Sequence, residues 1–177
     1  MAMRARVIDL PAAAAPKKAR HGARCDVVGI LSASSLIQGQ IEKAMTEPLP
    51  ALLHTESCLR YWTAFVQLKH PAATLDVWLP LCEAMNIAML LCEEDIGAQY
   101  LDLFIAAQEA IFRAWMRGER TGSYRLDGPG IAVITEALEV HDAQLDVSLR
   151  GDLAKAERTM LERMAEGNHY KAEPVAA

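Results

Sequence analysis

The sequence predicts an all-α protein, a single-domain bundle of about six helices with a buried central helix near residues 76–93. Apolar residues recur at steps of three and four in successive segments of helical length. Stretches that contain proline or glycine separate these segments. Few stretches favour a strand, and 177 residues suit one compact domain that buries a sizeable core.

The first two predicted helices cover residues 26–45 and 51–69, although residues 27–31 could equally form a short strand. Two prolines within residues 46–50 end the first helix, because proline fixes φ and lacks a donor N–H. Pro71 ends the second, because the residue before a proline avoids the α conformation. The expected core side of the second helix carries Leu52, Leu59, Trp62 and Val66, with Tyr61, Phe65 and Leu68 adjoining.

The third predicted helix begins at Thr74 or Asp76 and reaches about Glu93, with Pro80 in its first turn. It is apolar on nearly every side, which is typical of a buried helix. Its apolar residues are Trp78, Leu79, Leu81, Met85, Ile87, Ala88, Met89, Leu90, Leu91 and Cys92. This helix is therefore the expected centre of the fold.

Glycines and a capping aspartate delimit the last three predicted helices. The fourth covers residues 98–117 between Gly97 and Gly118, the fifth follows the N-cap Asp127, and the sixth begins near residues 151–152. Their expected core residues, in chain order, are Leu101, Phe104, Gln108, Ile111 and Trp115, then Ile131, Ile134, Leu138, His141 and Leu145, then Leu153, Ala156, Met160 and Met164.

Residues 1–24 are expected to form a disordered basic tail, ahead of a helical domain over residues 25–170 and a frayed C-terminus over residues 171–177. The tail has no packable period and a net charge of +5, whereas the remaining residues carry −10. An electrostatic arm and a plain solvated leader are both consistent with it. The tail residues that could contact a partner are Arg4, Arg6, Lys17, Lys18, Arg20 and Arg24.

Composition and cysteine usage favour a cytoplasmic protein with no membrane association. No apolar run approaches the roughly 20 residues of a membrane-spanning helix, and no secretory signal pattern is visible. The four cysteines form no Cys-x-x-Cys pair, so neither a disulfide scaffold nor a structural zinc site is expected. They are Cys25, Cys58, Cys82 and Cys92.

The sequence contains no motif that predicts catalysis. It has no phosphate-binding loop, dinucleotide fingerprint or nucleophile elbow, and no Glu-x-x-His pair for a di-iron site. His141 and Asp142 are paired as the metal ligands of HD phosphohydrolases are, but no second ligand motif accompanies them. We therefore expect a non-enzymatic protein without a cofactor or a metal.

Three polar residues, Asn86, Gln108 and His141, occupy or adjoin the apolar sides of three predicted helices. Buried polar side chains need partners, so one shared hydrogen-bond network is expected to join the three. A ligand pocket lined by the same residues is the alternative.

Two groups of charged residues are further candidates for partner binding. The acidic group is Glu93, Glu94 and Asp95. It lies at a helix C-terminus, where negative charge is mildly unfavourable and a basic partner would stabilise it. The basic residues of the last helix are expected to pair with acids four positions away in that helix. The basic group, beside a glycine-containing loop that could contact phosphates, is Arg113, Arg117, Arg120 and Arg125.

Two stretches carry a resemblance to other proteins. One is Trp78 to Gly97, and the other is Gly-Ser-Tyr-Arg-Leu-Asp-Gly-Pro-Gly at residues 122–130, which leads into Glu-Val-His-Asp-Ala-Gln-Leu at residues 139–145. They resemble small helical proteins of unassigned role from proteobacterial plasmids, integrated elements and phages. The similarity covers less than half of the chain and transfers no functional residue. It implies an accessory or regulatory role in the setting of a mobile element.

The expected function is that of a cytoplasmic accessory or regulatory protein that binds another protein. Homo-oligomer formation is compatible with this expectation. The alternative is a nucleic-acid-binding regulator that uses the basic tail and the region Arg113 to Arg125, whose binding to DNA would weaken steeply with salt.

Overall fold

The structure is a computed structural model, and it describes residues 37–166 of the chain. Over this range it contains six α-helices, one short 3₁₀ helix and no strand, which confirms the predicted all-α class. The predicted basic tail, the first part of the first helix and the predicted frayed C-terminus lie outside the described residues.

The helices follow one another with short connections. Their bounds are α1 at residues 37–45 of the described range, α2 at Ala51–Gln67, α3 at Leu75–Glu93, a 3₁₀ helix at Ala98–Tyr100, α4 at Leu101–Thr121, α5 at Gly128–Val147 and α6 at Arg150–Ala165.

Local sequence explains several helix ends. Thr74 precedes α3 in an extended conformation, as an N-cap residue does. Asp127 caps α5, since its carboxylate accepts a hydrogen bond of 2.7 Å from the backbone N–H of Gly130. Pro129 lies in the first turn of α5, where no helical partner for an N–H is needed. Gly122 ends α4 in the left-handed conformation, with φ of 77°.

Two glycines that the sequence analysis placed at helix boundaries lie inside helices. At each of them a close neighbour leaves no room for a Cβ, which explains why glycine is present. At Gly118 a Cβ would lie 2.3 Å from the ring of Tyr124, so α4 continues to Thr121 beneath that ring. At Gly151 a Cβ would lie 2.7 Å from the carbonyl oxygen of Met45, and α6 begins one residue earlier.

Pro80 is the sixth residue of α3 and lies in its second turn, which corrects the expected position in the first turn. Without an N–H it cannot bond the carbonyl of Asp76, four residues earlier. The helix nevertheless continues to Glu93, because tertiary packing of its apolar sides stabilises it more than local propensity does.

Helix α3 is the centre of the bundle, as predicted. It packs against α2, α4, α5 and α6. Its residues Leu81, Met85 and Leu91 have no exposed surface. The other large side chains that are fully buried, or nearly so, come from the surrounding helices and the residues that follow them: Phe65, Leu68, Phe104, Ile134, Leu138 and Leu145.

By length and composition alone, α3 could also cross a membrane, which the sequence analysis did not expect. A single helix of this kind is weak support for a span, because the core helix of a compact protein has the same length and composition.

The buried side of α2 differs from the predicted one. Tyr61, Phe65 and Leu68 face the core, whereas Leu52, Leu59 and Val66 are 69%, 63% and 52% exposed. Helix α2 has two apolar sides that lie roughly opposite each other, and the sequence analysis predicted that the outer one faces the core. Helix α6 shows a smaller difference: Ala156 is buried, Leu153 and Met160 are half-buried, and Met164 is exposed.

We expect Gly118→Ala to lower the free energy of unfolding by about 1–3 kcal/mol, because the added methyl group must displace the ring of Tyr124. Gly128→Ala is the matched control, since a Cβ at that first position of α5 meets no atom within 4 Å. Urea unfolding of both variants measures the difference. Equal effects of the two substitutions would contradict the close packing of Tyr124 on α4.

Candidate functional site

Polar side chains gather where α2 meets α5. Positions on α2 separated by three, four or eight residues share one side of the helix, and this side faces the polar residues of α5. The α2 residues are His54, Cys58, Tyr61 and Trp62, and the α5 residues are His141, Asp142, Gln144 and Asp146.

Gln144 is buried, and its neighbours determine the orientation of its side-chain amide. Its Nε2 lies 2.7 Å from the carbonyl oxygen of Ile96, 3.1 Å from that of Ala88 and 3.3 Å from Sγ of Cys92. Because a nitrogen must donate to carbonyl oxygens, Oε1 is the acceptor, and it lies 3.1 Å from Nδ1 of His141. The neutral ring of His141 therefore carries its proton on Nδ1, and Nε2 is a hydrogen-bond acceptor.

Burial lowers the pKa of His141 to about 4, so the ring is neutral near pH 7. The hydrogen bond with Gln144 and the charge of Asp142 oppose this shift, and the nearby His54 adds to it. Tyr61 packs over the imidazole, with ring centroids 5.4 Å apart. His141 is thus a core histidine whose neutral form the fold requires.

His141 also lines a cavity of about 60 Å³. A water molecule occupies about 30 Å³ in the liquid, so the cavity has room for about two waters. Pockets for cofactors and organic ligands are typically about 300–1,000 Å³. Asn86 and Gln108 do not line this cavity, so it is not the pocket considered in the sequence analysis. Its polar lining comes from four helices: Ser57, Arg60, Tyr61, Glu83, His141 and Glu157.

Asp142 joins α5 to α2 through both of its carboxylate oxygens. The Tyr61 hydroxyl donates to one, and the Trp62 indole N–H donates to the other at 3.0 Å. Burial, together with the hydrogen bond to Asp142, raises the pKa of Tyr61 far above its ordinary value. The Tyr61 hydroxyl therefore stays protonated, and it holds two helices together.

His54, Cys58 and Asp146 have the composition of a nucleophilic triad but not its geometry. Sγ of Cys58 lies 3.7 Å from Nε2 of His54, and that same nitrogen lies 3.3 Å from the carboxylate of Asp146. A working triad uses one ring nitrogen for the nucleophile and the other for the carboxylate. Burial raises the pKa of Cys58, and the nearby carboxylates of Asp142 and Asp146 add to this shift, so the unreactive thiol form is favoured.

Asn86 and Gln108 form a separate polar pair that joins α3 to α4. Nε2 of Gln108 donates to Oδ1 of Asn86 at 2.6 Å. His141 bonds to Gln144 instead, so the structure has two clusters in place of the one network that we expected. The sequence analysis missed Gln144, although its position three residues after His141 places both on one side of α5.

The acidic candidates at the end of α3 face basic residues of α6. Arg163 donates two hydrogen bonds to Glu93, at 2.6 and 2.8 Å, and these lower the pKa of Glu93. Lys155 pairs with Glu94. Asp95 is exposed and adopts a left-handed conformation, with φ of 65°. Arg163 and Lys155 therefore pair across the bundle, whereas the sequence analysis expected pairing within α6.

Two of the basic candidates, Arg113 and Arg117, form ion pairs or hydrogen bonds within the fold. Nε of Arg113 lies 3.3 Å and a terminal nitrogen of Arg117 lies 3.5 Å from the carboxylate of Asp127. Arg117 also donates to the carbonyl oxygen of Arg125, so these side chains fasten the loop after α4. The side chains of Arg120 and Arg125 are exposed. The six basic residues of the tail lie outside the described residues.

Within residues 37–166, no group of three or more histidine, cysteine, aspartate or glutamate residues is placed to hold a metal ion. Comparisons with protein-family models, with curated proteins and with solved structures find no match to this chain. The resemblance to helical proteins of mobile elements therefore stays a prediction.

We expect the free energy of unfolding to decrease as the pH falls from about 6.5 towards 4. The pKa of His141 is about 4 in the folded protein and 6.5 when unperturbed, so the unfolded chain takes up the proton first and stability is lost on acidification. Above pH 6.5 the stabilisation from the neutral His141 ring is fully present. Between about pH 4 and 6.5 the free energy of unfolding changes by up to about 1 kcal/mol per pH unit.

Urea unfolding at several pH values measures the slope in the parent chain, in His141→Phe and in His70→Gln. His70 is exposed, and its substitution is the control that should retain the slope. An unchanged slope in His141→Phe would show that another group causes the acid sensitivity.

Proposed function

We propose that this chain is an accessory or regulatory protein that acts by binding another protein through the outer side of α2. We define the α2 stripe as five exposed residues along the centre of that side: Leu52, Thr55, Leu59, Thr63 and Val66. The proposal is carried by the position of its three large apolar side chains.

Leu52, Leu59 and Val66 recur every seven residues, which places them in one line along the helix. At a rise of 1.5 Å per residue the line is about 21 Å long. Single exposed apolar residues are ordinary, but a continuous apolar row on the centre of an exposed helix face is typical of an interaction site. The threonines between them add methyl groups and no charge.

The polar interface of α2 and α5 supports a non-enzymatic role. Its carboxylates join α5 to α2, whereas Cys58 contacts His54 within α2. One nitrogen of His54 faces both the thiol and Asp146, so the separated partners that nucleophilic catalysis requires are lacking. Its cavity has room for about two waters. A cytoplasmic location fits the free thiols of Cys58, Cys82 and Cys92, which a reducing compartment preserves.

The nucleic-acid alternative has less support in the described part of the chain. Arg113 and Arg117 both pair with Asp127, which offsets one of their two positive charges and so weakens attraction for phosphates in this region. Binding of the full chain to duplex DNA that weakens steeply with salt would favour this alternative over the protein-binding proposal.

We expect a photoreactive benzoylphenylalanine at position 59 to form a covalent adduct with a protein in the native host, because Leu59 lies at the middle of the α2 stripe. The same residue at position 139, on the exposed side of α5, is the control and should form none. Denaturing electrophoresis and mass spectrometry detect the adduct. Absence of an adduct at position 59, or equal adducts at both positions, would contradict the proposal.

A further inference from the structure

We infer that the protein bound at the α2 stripe is a second copy of this chain, paired antiparallel across a twofold axis at Leu59. This inference rests on the proposed protein-binding function and names the partner. It is carried by the order of residues in the stripe and by the charges beside it.

The stripe has the same spacing, and the same order of apolar residues and threonines, from either end. Its positions are separated by steps of three, four, four and three residues, and its members alternate between apolar residues and threonine. A twofold interface needs a self-complementary surface, in which residue i of one copy meets residue j of the other and j meets i. With the axis at Leu59, Leu59 meets its own copy, Thr55 meets Thr63, and Leu52 meets Val66.

The threonines suit such a contact. The hydroxyl of Thr55 donates a hydrogen bond of 2.8 Å to the carbonyl oxygen of Ala51 within α2. Its polar group is therefore satisfied inside its own helix, and its methyl group is available to the opposite helix. An apolar contact can then continue past Thr55 without leaving its hydroxyl unpaired.

In this arrangement the charges beside the stripe bring Glu56 of one copy near Arg60 of the other, and they also bring the two Arg60 residues near each other. Glu56 and Arg60 lie on the same flank of α2. With the twofold axis at Leu59, Glu56 of one copy lies opposite position 62 of the other copy. Arg60 of that other copy is two residues, or about 3 Å of helical rise, from position 62. Along the helix, the two Glu56 positions are about 9 Å apart and the two Arg60 positions about 3 Å apart. Arg60 already pairs with Glu83 of its own chain and keeps a side chain that is 60% exposed.

Net charge also favours contact at this helix. Residues 25–177 carry −10, so two copies repel each other overall. The formal charges of α2 cancel, because Glu56 and Arg60 are its charged residues. A partner of different sequence would place no symmetry requirement on the stripe, whereas a second copy requires the symmetry that is present.

The size of the contact predicts its strength. Helix α2 has 17 residues and is about 25 Å long. One helix crossing of this length buries less than the ~800 Å² per partner of a standard stable interface. We therefore expect a dimer with Kd on the order of micromolar, in exchange with the monomer.

Analytical ultracentrifugation of the full chain over about 1–200 µM tests the inference. The mean mass should rise from 19.4 kDa towards twice that value. Leu59→Glu and Leu59→Lys should each weaken association by at least about tenfold, because the axis brings like charges together. An equal mixture of these two variants should associate again, since Glu then faces Lys.

Leu161→Glu is the matched control, because Leu161 of α6 is also about three-fifths exposed and lies outside the stripe. It should associate like the parent chain, and thermal melts should show all three variants folded. A parent chain that stays monomeric, or a mixture that does not regain association, overturns the inference. If the adduct at position 59 then contains a different protein, the proposed function stands; if no adduct forms, both fail.

Discussion

The burial of α3 is the constraint on which the rest of the structure depends. This helix is apolar on nearly all sides, so water must be kept from each of them. Four helices do so, and each must turn a side with small or apolar residues towards it. The positions of α2, α4, α5 and α6 follow from this requirement, and so does the tolerance of Pro80 within the second turn. Loss of one backbone hydrogen bond is minor beside the apolar surface that α3 buries.

Enclosing α3 creates a second requirement, because buried backbone carbonyls near its C-terminal end need hydrogen-bond donors. Backbone N–H groups of residues 94–96 donate to the carbonyls of Leu91 and Cys92, and Gln144 of α5 donates to the carbonyl oxygens of Ala88 and of Ile96, which follows the helix. Its remaining oxygen orients His141, and the ring of His141 packs on Tyr61. A chain of polar contacts thus runs from the end of α3 through α5 to α2. Most of these groups make contacts between helices, and His54, Cys58 and Asp146 lack the geometry of a nucleophilic triad.

Helix α2 is one of the described elements that this architecture leaves incompletely covered. One of its apolar sides packs on the core, whereas Leu52 and Leu59 on the opposite side are largely exposed. Exposed leucine and valine in this position are costly for a solitary molecule, since water contacts a continuous apolar surface. The protein partner that we propose would relieve that cost. The symmetric order of the stripe and the zero net charge of α2 are the reasons for proposing a second copy of the chain as that partner.

The amino-acid pattern alone was enough to predict the helical class, the approximate positions of the helices, the cap at Asp127 and the central place of α3. These features depend on local rules of periodicity, capping and proline geometry, which act within a few residues. Which apolar side of α2 is buried depends on the packing of the whole fold, because periodicity reveals that a helix has an apolar side but not which of two sides meets the core. That packing also decided that Gln144 rather than Asn86 is the partner of His141, and that Arg163 pairs with Glu93, 70 residues away. Such contacts depend on the packing of whole helices, which no local pattern encodes.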